Sequence, residues 1–366
     1  MRTPIISFLF LTVILVSGAL ANTTLSVGNS VYIPLTVGQW FDYVVVIMME
    51  NHSINDTYGT SVQPNSWNSN SKTCLGDCTY FNSLADSNAL ARGYTDGHIM
   101  GESVGDYIGI TSGYNQTAGA CNMNPPGSTG CPLLQIPNIV DSLENARLSW
   151  KAYMEDYPIS SGCYANDSPS GTGHYVFFHN PFIYYSDIYN TARCSNIVKA
   201  NSNIITNQVS CWPSTGVPSI PNDDLFINDL NSPNAPNYMF LTPNTVDDIH
   251  DCNDISVGNA WLNEMVPQIL GSTLFKTKRA ALFITFDEDG CTFSGCPPAN
   301  CPSTSCPQIY AVWASNSSNP TTKVGYKSAI FFTHFNALRT VEDNWNLPPF
   351  IASTDGSASN MQGFFR

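Results

Sequence analysis

The sequence predicts an α/β fold, with a mostly parallel central sheet and helices on both faces. Continuous runs of apolar, largely β-branched residues recur at Tyr43 to Met49, Asn237 to Thr242 and Ala280 to Phe286. Runs without polar alternation read as strands buried on both faces, the mark of a parallel sheet. Segments with helical spacing stand between or after them, at 139–145, 256–270 and 336–345, and strands alternating with helices build a sheet covered on both sides. No internal repeat is present, so a solenoid is set aside.

Taken in order, residues 22–39 read as a strand and loop leading into the first buried run. That run stops at Glu50-Asn51-His52, three polar groups where a parallel strand would end. Residues 55–79 are rich in Asn, Ser and Gly, a surface excursion pinned by Cys74 and Cys78. Within 94–114 a strand-like piece meets a Gly-flanked turn and a helix start. Ser103 therefore falls at or near a helix N-terminus, where it fits either a plain N-cap or a nucleophile facing a phosphate. A loop at 119–130, prone to disulfide formation, leads to a short amphipathic helix and the strand 149–154. In YVFFHNPFIYY (175–185), His179 is the polar exception, a satisfied core group or a catalyst. The second buried run ends before Asp247-Asp248-Ile249-His250-Asp251. Val257, Trp261, Met265, Ile269 and Leu270 form a core stripe in the helix that follows. The third buried run ends in Asp287-Glu288-Asp289. Two further apolar runs, 309–314 and 329–333, follow, the latter leading to His334.

Residues 1–21 read as a secretory signal peptide: Arg2, an apolar stretch from Ile5 to Val16, and Ala19-Leu20-Ala21 as the cleavage site. Residues 22–366 are then expected to form one domain. Charged residues are 11% of the chain and the net charge is −14, against a usual ~25% charged. An acidic chain without basic patches excludes nucleic acid and anionic lipid as partners. Few surface carboxylates also suit an acidic exterior. The 12 cysteines point to disulfides in an exported chain. Cys291, Cys296, Cys301 and Cys306 leave a zinc knot as the alternative, with loose spacing and no nearby His. Sequons at Asn22, Asn55, Asn115, Asn166 and Asn316 suit a glycosylated surface. The sequence carries no signal for oligomeric state or stable membrane insertion.

The chemistry lies in a recurrence. Buried runs end in Glu50-Asn51, in Asp248 with His250, in Asp287-Glu288 and in His334. Parallel strands gather such groups along one sheet edge, where α/β sheets bind ligands. Crowded carboxylates repel unless a cation neutralises them, and oxygen donors favour Mg²⁺, Ca²⁺ or Mn²⁺ over thiolate-type zinc. A nucleophile, a metal and imidazoles are the parts phosphoryl transfer requires.

Six segments carry a family resemblance: VVVIMMENHSINDTYG at 44–59, ESVGDY at 102–107, HNPF at 179–182, LTPNTVDDIHD at 241–251, ITFDEDG at 284–290 and THFNALRTVEDNWNLPP at 333–349. In this order the sequence resembles the phosphoesterase family of acid phosphatases and bacterial phospholipases C, within the alkaline phosphatase superfamily. The resemblance implies an alkaline-phosphatase-like fold. It also implies a metal held by Glu50, Asn51, Asp287 and Glu288, with Asp248 as an additional or supporting ligand. Ser103 would share that metal and become phosphorylated, while His179, His250 and His334 bind phosphate or act as general acid and base. Three residues after the nucleophile the superfamily usually has an Asn that holds a phosphate oxygen. Here Asp106 stands, able to donate a hydrogen bond only when protonated.

The expected function is a secreted, metal-dependent acid phosphatase acting on small phosphate esters through a phosphoserine. A phospholipase C releasing phosphorylated headgroups is the enzymatic alternative, and the chain's end soon after the last motif favours the phosphatase. A non-catalytic surface glycoprotein is the alternative of another class.

Overall fold

The computed structural model describes residues 25–27, 30–32, 37–58, 78–97, 103–115, 119–204, 222–251, 254–289 and 308–366. The expected leader, Cys74 and the Cys291–Cys306 ladder lie outside the described residues. Strands β1 (Leu25–Val27) and β2 (Ser30–Tyr32) pair antiparallel in a small unit of their own.

The main unit is built on an eight-stranded sheet. Its strands are β3 (Tyr43–Met49), β4 (Ala89–Thr95), β5 (Trp150–Met154), β6 (Ile197–Lys199), β7 (Tyr238–Thr242), β8 (Ala280–Phe286), β9 (Ala311–Ala314) and β10 (Lys327–Thr333). They lie in the order β10-β4-β9-β8-β3-β7-β5-β6. Every pairing is parallel except the two made by β9, which runs against β4 and β8. The three apolar runs are thus neighbours, with β3 between β8 and β7. All seven residues of β8 are buried, as are all but the first of β3. Successive strand residues face opposite sides, so both sheet faces are covered. At the β10 edge the pattern loosens, and Ile330 is 61% exposed.

The helices that matter here are α1 (Ile54–Thr57), α2 (Thr79–Ser87), α3 (Ser103–Ser112), α4 (Gly119–Asn122), α5 (Ile139–Asn145), α6 (Asp224–Leu230), α7 (Ile255–Leu270), α8 (Thr273–Thr277) and α9 (His334–Asn344). Helix α9 packs on α3 and α2 on α7. Helix α5 starts on Asn138, whose side chain accepts from the Val140 N–H at 3.0 Å, and α7 starts on Asp254, which accepts from Ser256 N–H at 3.1 Å. Each cap satisfies a donor the helix itself leaves free. The α7 stripe of Val257, Trp261, Met265 and Ile269 is buried as expected, with Leu270 at its margin. Disulfides Cys121–Cys131 and Cys163–Cys194 staple loops around the sheet.

Two backbone features shape the edge where the strands end. Asn51 takes φ +58°, a left-handed turn that asparagine tolerates. Ile249 takes φ +83°, which a β-branched residue adopts only under strain. Helix α7 makes room for it at Gly258, where an added Cβ would stand 2.5 Å from the Ile249 side chain.

Candidate active site

The ends of the parallel strands converge as the recurrence predicted. Past β3, the Glu50 N–H donates to Asp248 O at 3.0 Å, and past β8 the Asp287 N–H donates to Met49 O at 2.9 Å. The left-handed Asn51 turns its own N–H onto Asp287 Oδ1 at 2.9 Å, and the Glu288 N–H reaches the same oxygen at 2.7 Å. Glu50, Asp248 and Asp287 are fully buried, and Glu288 nearly so. The ion pairs of Lys and Arg among the described residues lie elsewhere.

Glu50 is the centre, and its two oxygens face different partners. Oε2 accepts from Ser103 Oγ at 3.1 Å and from the Asn51 side-chain amide at 3.1 Å. Oε1 accepts from Tyr107 OH at 2.8 Å and lies 3.2 Å from His179 Nε2. Ser103 is the first residue of α3, and the next N–H of that first turn, from Val104, donates to Asn122 Oδ1 at 3.1 Å. Tyr107 is one turn further along the same face, and its ring stacks on His179 at 5.5 Å and 9°.

His179 lies between two carboxylates, with Nδ1 3.1 Å from Asp248 Oδ2. Burial, then the neighbouring His250, pushes its imidazole well below the ordinary range, in the direction of the neutral ring. A neutral imidazole has one N–H, so one nitrogen lone pair confronts a carboxylate. Burial, then the Asp287 and Asp248 charges, pushes the Glu50 carboxyl well up. Burial likewise raises Asp248 and Asp287. Asp287 Oδ2 is buried without a hydrogen-bond partner. Such a donor set fits a bound cation, which would relieve every one of these conflicts. A possible metal site is present: ligand atoms of Glu50, His179 and His250 lie within 4.8 Å of one another. The expected all-oxygen set is joined by two imidazoles, so the mixed nitrogen and oxygen chemistry also suits transition ions.

The remaining expected residues fall around this centre. His250 is the open group: its side chain is 31% exposed, its Nδ1 is 2.9 Å from Asp251 Oδ1, and its ring is 5.1 Å from that of His179. Its backbone N–H donates to Asp248 Oδ1 at 2.8 Å. Asp106 is fully buried on α3, and neither carboxyl oxygen has a hydrogen-bond partner. Burial, then Asp96, Glu288, Asp287 and Asp289, holds that carboxyl well above its usual range, so it faces acids. His334, expected at the phosphate, has both ring nitrogens engaged by protein groups in this structure. Its Nε2 is 2.7 Å from Asp287 O and its Nδ1 3.0 Å from Tyr94 OH. Burial lowers its imidazole to about 4, so the neutral ring donates from Nε2 and accepts at Nδ1. Nε2 thus holds the end of β8 and Nδ1 ties it to Tyr94 on β4. His52, buried with Nδ1 2.9 Å from Glu50 O, braces the turn in the same manner.

Tyr107 escaped the sequence reading. Its signal was the four-residue spacing from Ser103, which puts two hydroxyls on one helix face.

Residues 75–348 match the model of the phosphoesterase family. The chain belongs to that family. An acid phosphatase of Penicillium chrysogenum described as phosphate-repressible is 27% identical over 219 residues, 59% of this chain and 44% of that protein. A phosphatidylinositol-3-phosphatase of Mycobacterium tuberculosis is 25% identical over 309 residues, 84% of this chain and 78% of that one. The chain thus spans under half the length of the first of these relatives. In the fold comparison, an alkaline phosphatase superfamily protein from Vibrio parahaemolyticus superposes with a TM-score of 0.51 at 12% identity, covering 86% of this chain and 68% of that chain. At that identity the match concerns the fold. The phosphoesterase family thus supplies the frame, and the strand ends carry the particulars.

Proposed function

We propose that this protein is a metal-dependent phosphomonoesterase, an acid phosphatase that works through phosphorylated Ser103. The observation that carries the reading is the Ser103 hydroxyl at the start of α3, donating to Glu50 Oε2 at 3.1 Å. A helix N-terminus favours the phosphoryl charge, and a carboxylate beside a serine hydroxyl takes up its proton. Glu50, Asp287, Asn51 and Glu288 would hold the metal with Ser103, and His179, His250 and Asp248 line the Glu50 Oε1 side. When bound, such an ion neutralises the carboxylates and stabilises charge on the phosphoryl oxygens.

In this reading Ser103 Oγ attacks phosphorus and the ester P–O bond breaks. The departing oxygen takes a proton from His250, the imidazole with solvent access, which Asp251 orients. Water then attacks the phosphoserine, giving a proton back to His250, while Glu50 returns to Ser103 Oγ the proton it took, so that phosphate and free Ser103 are released. Tyr107 and His334 position Glu50 and the Asp287 turn. Names of the relatives support acid phosphatase chemistry, and the sequence features of residues 1–21 support secretion. Among the described residues no helix is long and apolar enough to cross a membrane.

A second substrate reading has one observation behind it: the relative with the broadest two-way coverage of those compared is named for a lipid phosphomonoester. The test is hydrolysis of p-nitrophenyl phosphate beside phosphatidylinositol 3-phosphate in vesicles, with and without chelator, for wild type and Ser103→Ala. Chelator-sensitive release of phosphate that Ser103→Ala lacks supports the proposal. Release of phosphorylated headgroups without monoester hydrolysis would replace it with a phospholipase C, and turnover intact in Ser103→Ala would remove the phosphoserine.

A further inference from the structure

The aromatic stretch that supplies His179 also supplies its neighbour Phe178. Both belong to a single turn of 3₁₀ helix, Phe177–His179, in which Phe177 and His179 are buried and Phe178 is half-buried. The turn is tied at three points. The Phe177 N–H donates to Asp167 Oδ1 at 3.2 Å, the Asn180 N–H to Phe177 O at 3.1 Å, and the Thr242 hydroxyl to His179 O at 3.3 Å. A half-buried phenylalanine is ordinary in itself. What sets this one apart is what its ring meets.

The Phe178 ring stands against both imidazoles of the site. Its centroid lies 4.6 Å from that of His179, at 85°, and 5.9 Å from that of His250, at 57°. His250 is the imidazole that reaches solvent, so a partly open apolar ring flanks it. In a phosphate ester the alcohol portion is bonded to the very oxygen that His250 would protonate, and so it lies beside His250 and within reach of Phe178. The charge nearby narrows the choice. Asp251 is half-exposed, and its oxygens are already engaged, Oδ1 by His250 and Oδ2 by the Thr245 hydroxyl. It repels an anionic group without offering a free oxygen to an ammonium group.

We propose that Phe178, with His250, forms the subsite for the alcohol portion of the substrate, and that this portion is an uncharged aromatic group, as in an aryl phosphate monoester. Phe178 acts on specificity: its ring packs against the departing group, and no proton passes through it. An aromatic ring gains both apolar contact and the edge-to-face or offset geometry that ring pairs favour, so a preference of about 5–10-fold over a small aliphatic group is expected. The assignment of this subsite to the departing group rests on the phosphatase reading; the affinity of Phe178 for an aromatic ring does not.

The test reads binding by calorimetry, with phosphonates that cannot be hydrolysed and the full-length protein supplied with Mn²⁺. Wild type should bind benzylphosphonate about 5–10-fold tighter than ethylphosphonate. Phe178→Ala should abolish that difference while leaving the affinity for ethylphosphonate unchanged, and Phe178→Tyr should keep it. Phe178→Leu, which removes the ring and keeps apolar bulk, provides the same comparison if Phe178→Ala does not fold. Equal binding of the two phosphonates by wild type, or no binding of either, overturns the proposal. So does a Phe178→Ala that weakens both alike, which would mean that the ring merely supports His179. Tighter binding of 2-aminoethylphosphonate than of benzylphosphonate also overturns it, in favour of a cationic departing group. Because binding is read instead of turnover, the two readings can fail separately. A benzyl preference lost in Phe178→Ala, in a protein that hydrolyses no monoester, keeps the aromatic subsite and removes the phosphatase; hydrolysis without a benzyl preference does the opposite.

Discussion

The Glu50 cluster and a second group, of Glu155, Asp156 and Asp247, occupy the same kind of place, outside the carboxyl ends of parallel strands, and both are buried and acidic. They differ in what stands beside the acids. Glu50 has a serine at a helix start, a buried imidazole and, in His250, a second imidazole that reaches solvent. Glu155 has an indole, a backbone N–H and further carboxylates. Buried acids by themselves mark a demand for positive charge, whereas acids with a nucleophile and a solvent-reaching base mark chemistry. The loop 244–251 serves both clusters, with Asp247 on one side and Asp248 on the other.

Mutations break this comparison in graded steps. The largest effect is expected from Ser103→Ala, which should lower kcat/KM by at least about 10³-fold while leaving Tm unchanged. Glu50→Gln should cost about 10²-fold in kcat/KM and in metal affinity by calorimetry, without loss of stability, because a buried carboxyl held well above its ordinary range is replaced by a neutral amide. A Glu50 that was merely structural would show the reverse. Tyr107→Phe removes the 2.8 Å donor to Glu50 Oε1 but keeps the ring on His179, so about a tenfold loss in kcat is expected. Gly258→Ala would press on Ile249 at 2.5 Å and should destabilise by about 1–3 kcal/mol, measurable by urea unfolding, with lower activity through the displaced Asp248 and His250.

A further effect is on the pH dependence of stability. Glu342 on α9 is pushed up to about 9 by burial, then by the Asp355 charge. An acid raised in the folded state binds its proton more tightly there than in the unfolded chain. Its contribution is therefore complete below its ordinary value near 4.5 and is lost as pH climbs toward 9. Tm should be highest in acid and decline through that window, and Glu342→Gln should flatten the decline. A Tm that peaks near neutrality and falls on acidification would contradict an adaptation to acid.

Much of this was legible in the sequence because burial on both faces writes itself as unbroken apolar runs. Tyr43–Met49 and Ala280–Phe286 were bounded to the residue, since polar site groups begin where each strand ends. The direction of β9 was not legible: residues 309–314 form an apolar run like the others, and antiparallel pairing with β4 and β8 is decided by distant partners. The juxtaposition of Glu50, Asp287 and Asp248 followed from topology alone. What His334 touches did not, because its two nitrogens are satisfied by a carbonyl and a phenol far away in sequence. The burial of Asp223 was not legible either, because it arises beside Glu155 and Asp247, both distant in sequence.

The central claim is that Ser103 carries the phosphoryl group, and quenching turnover in acid tests it most directly. Wild-type protein mixed with p-nitrophenyl phosphate, quenched and digested, should yield by mass spectrometry a peptide phosphorylated at Ser103, absent from Ser103→Ala. Sustained phosphate release with Ser103 unmodified, or with the phosphoryl group on another residue, would contradict the account.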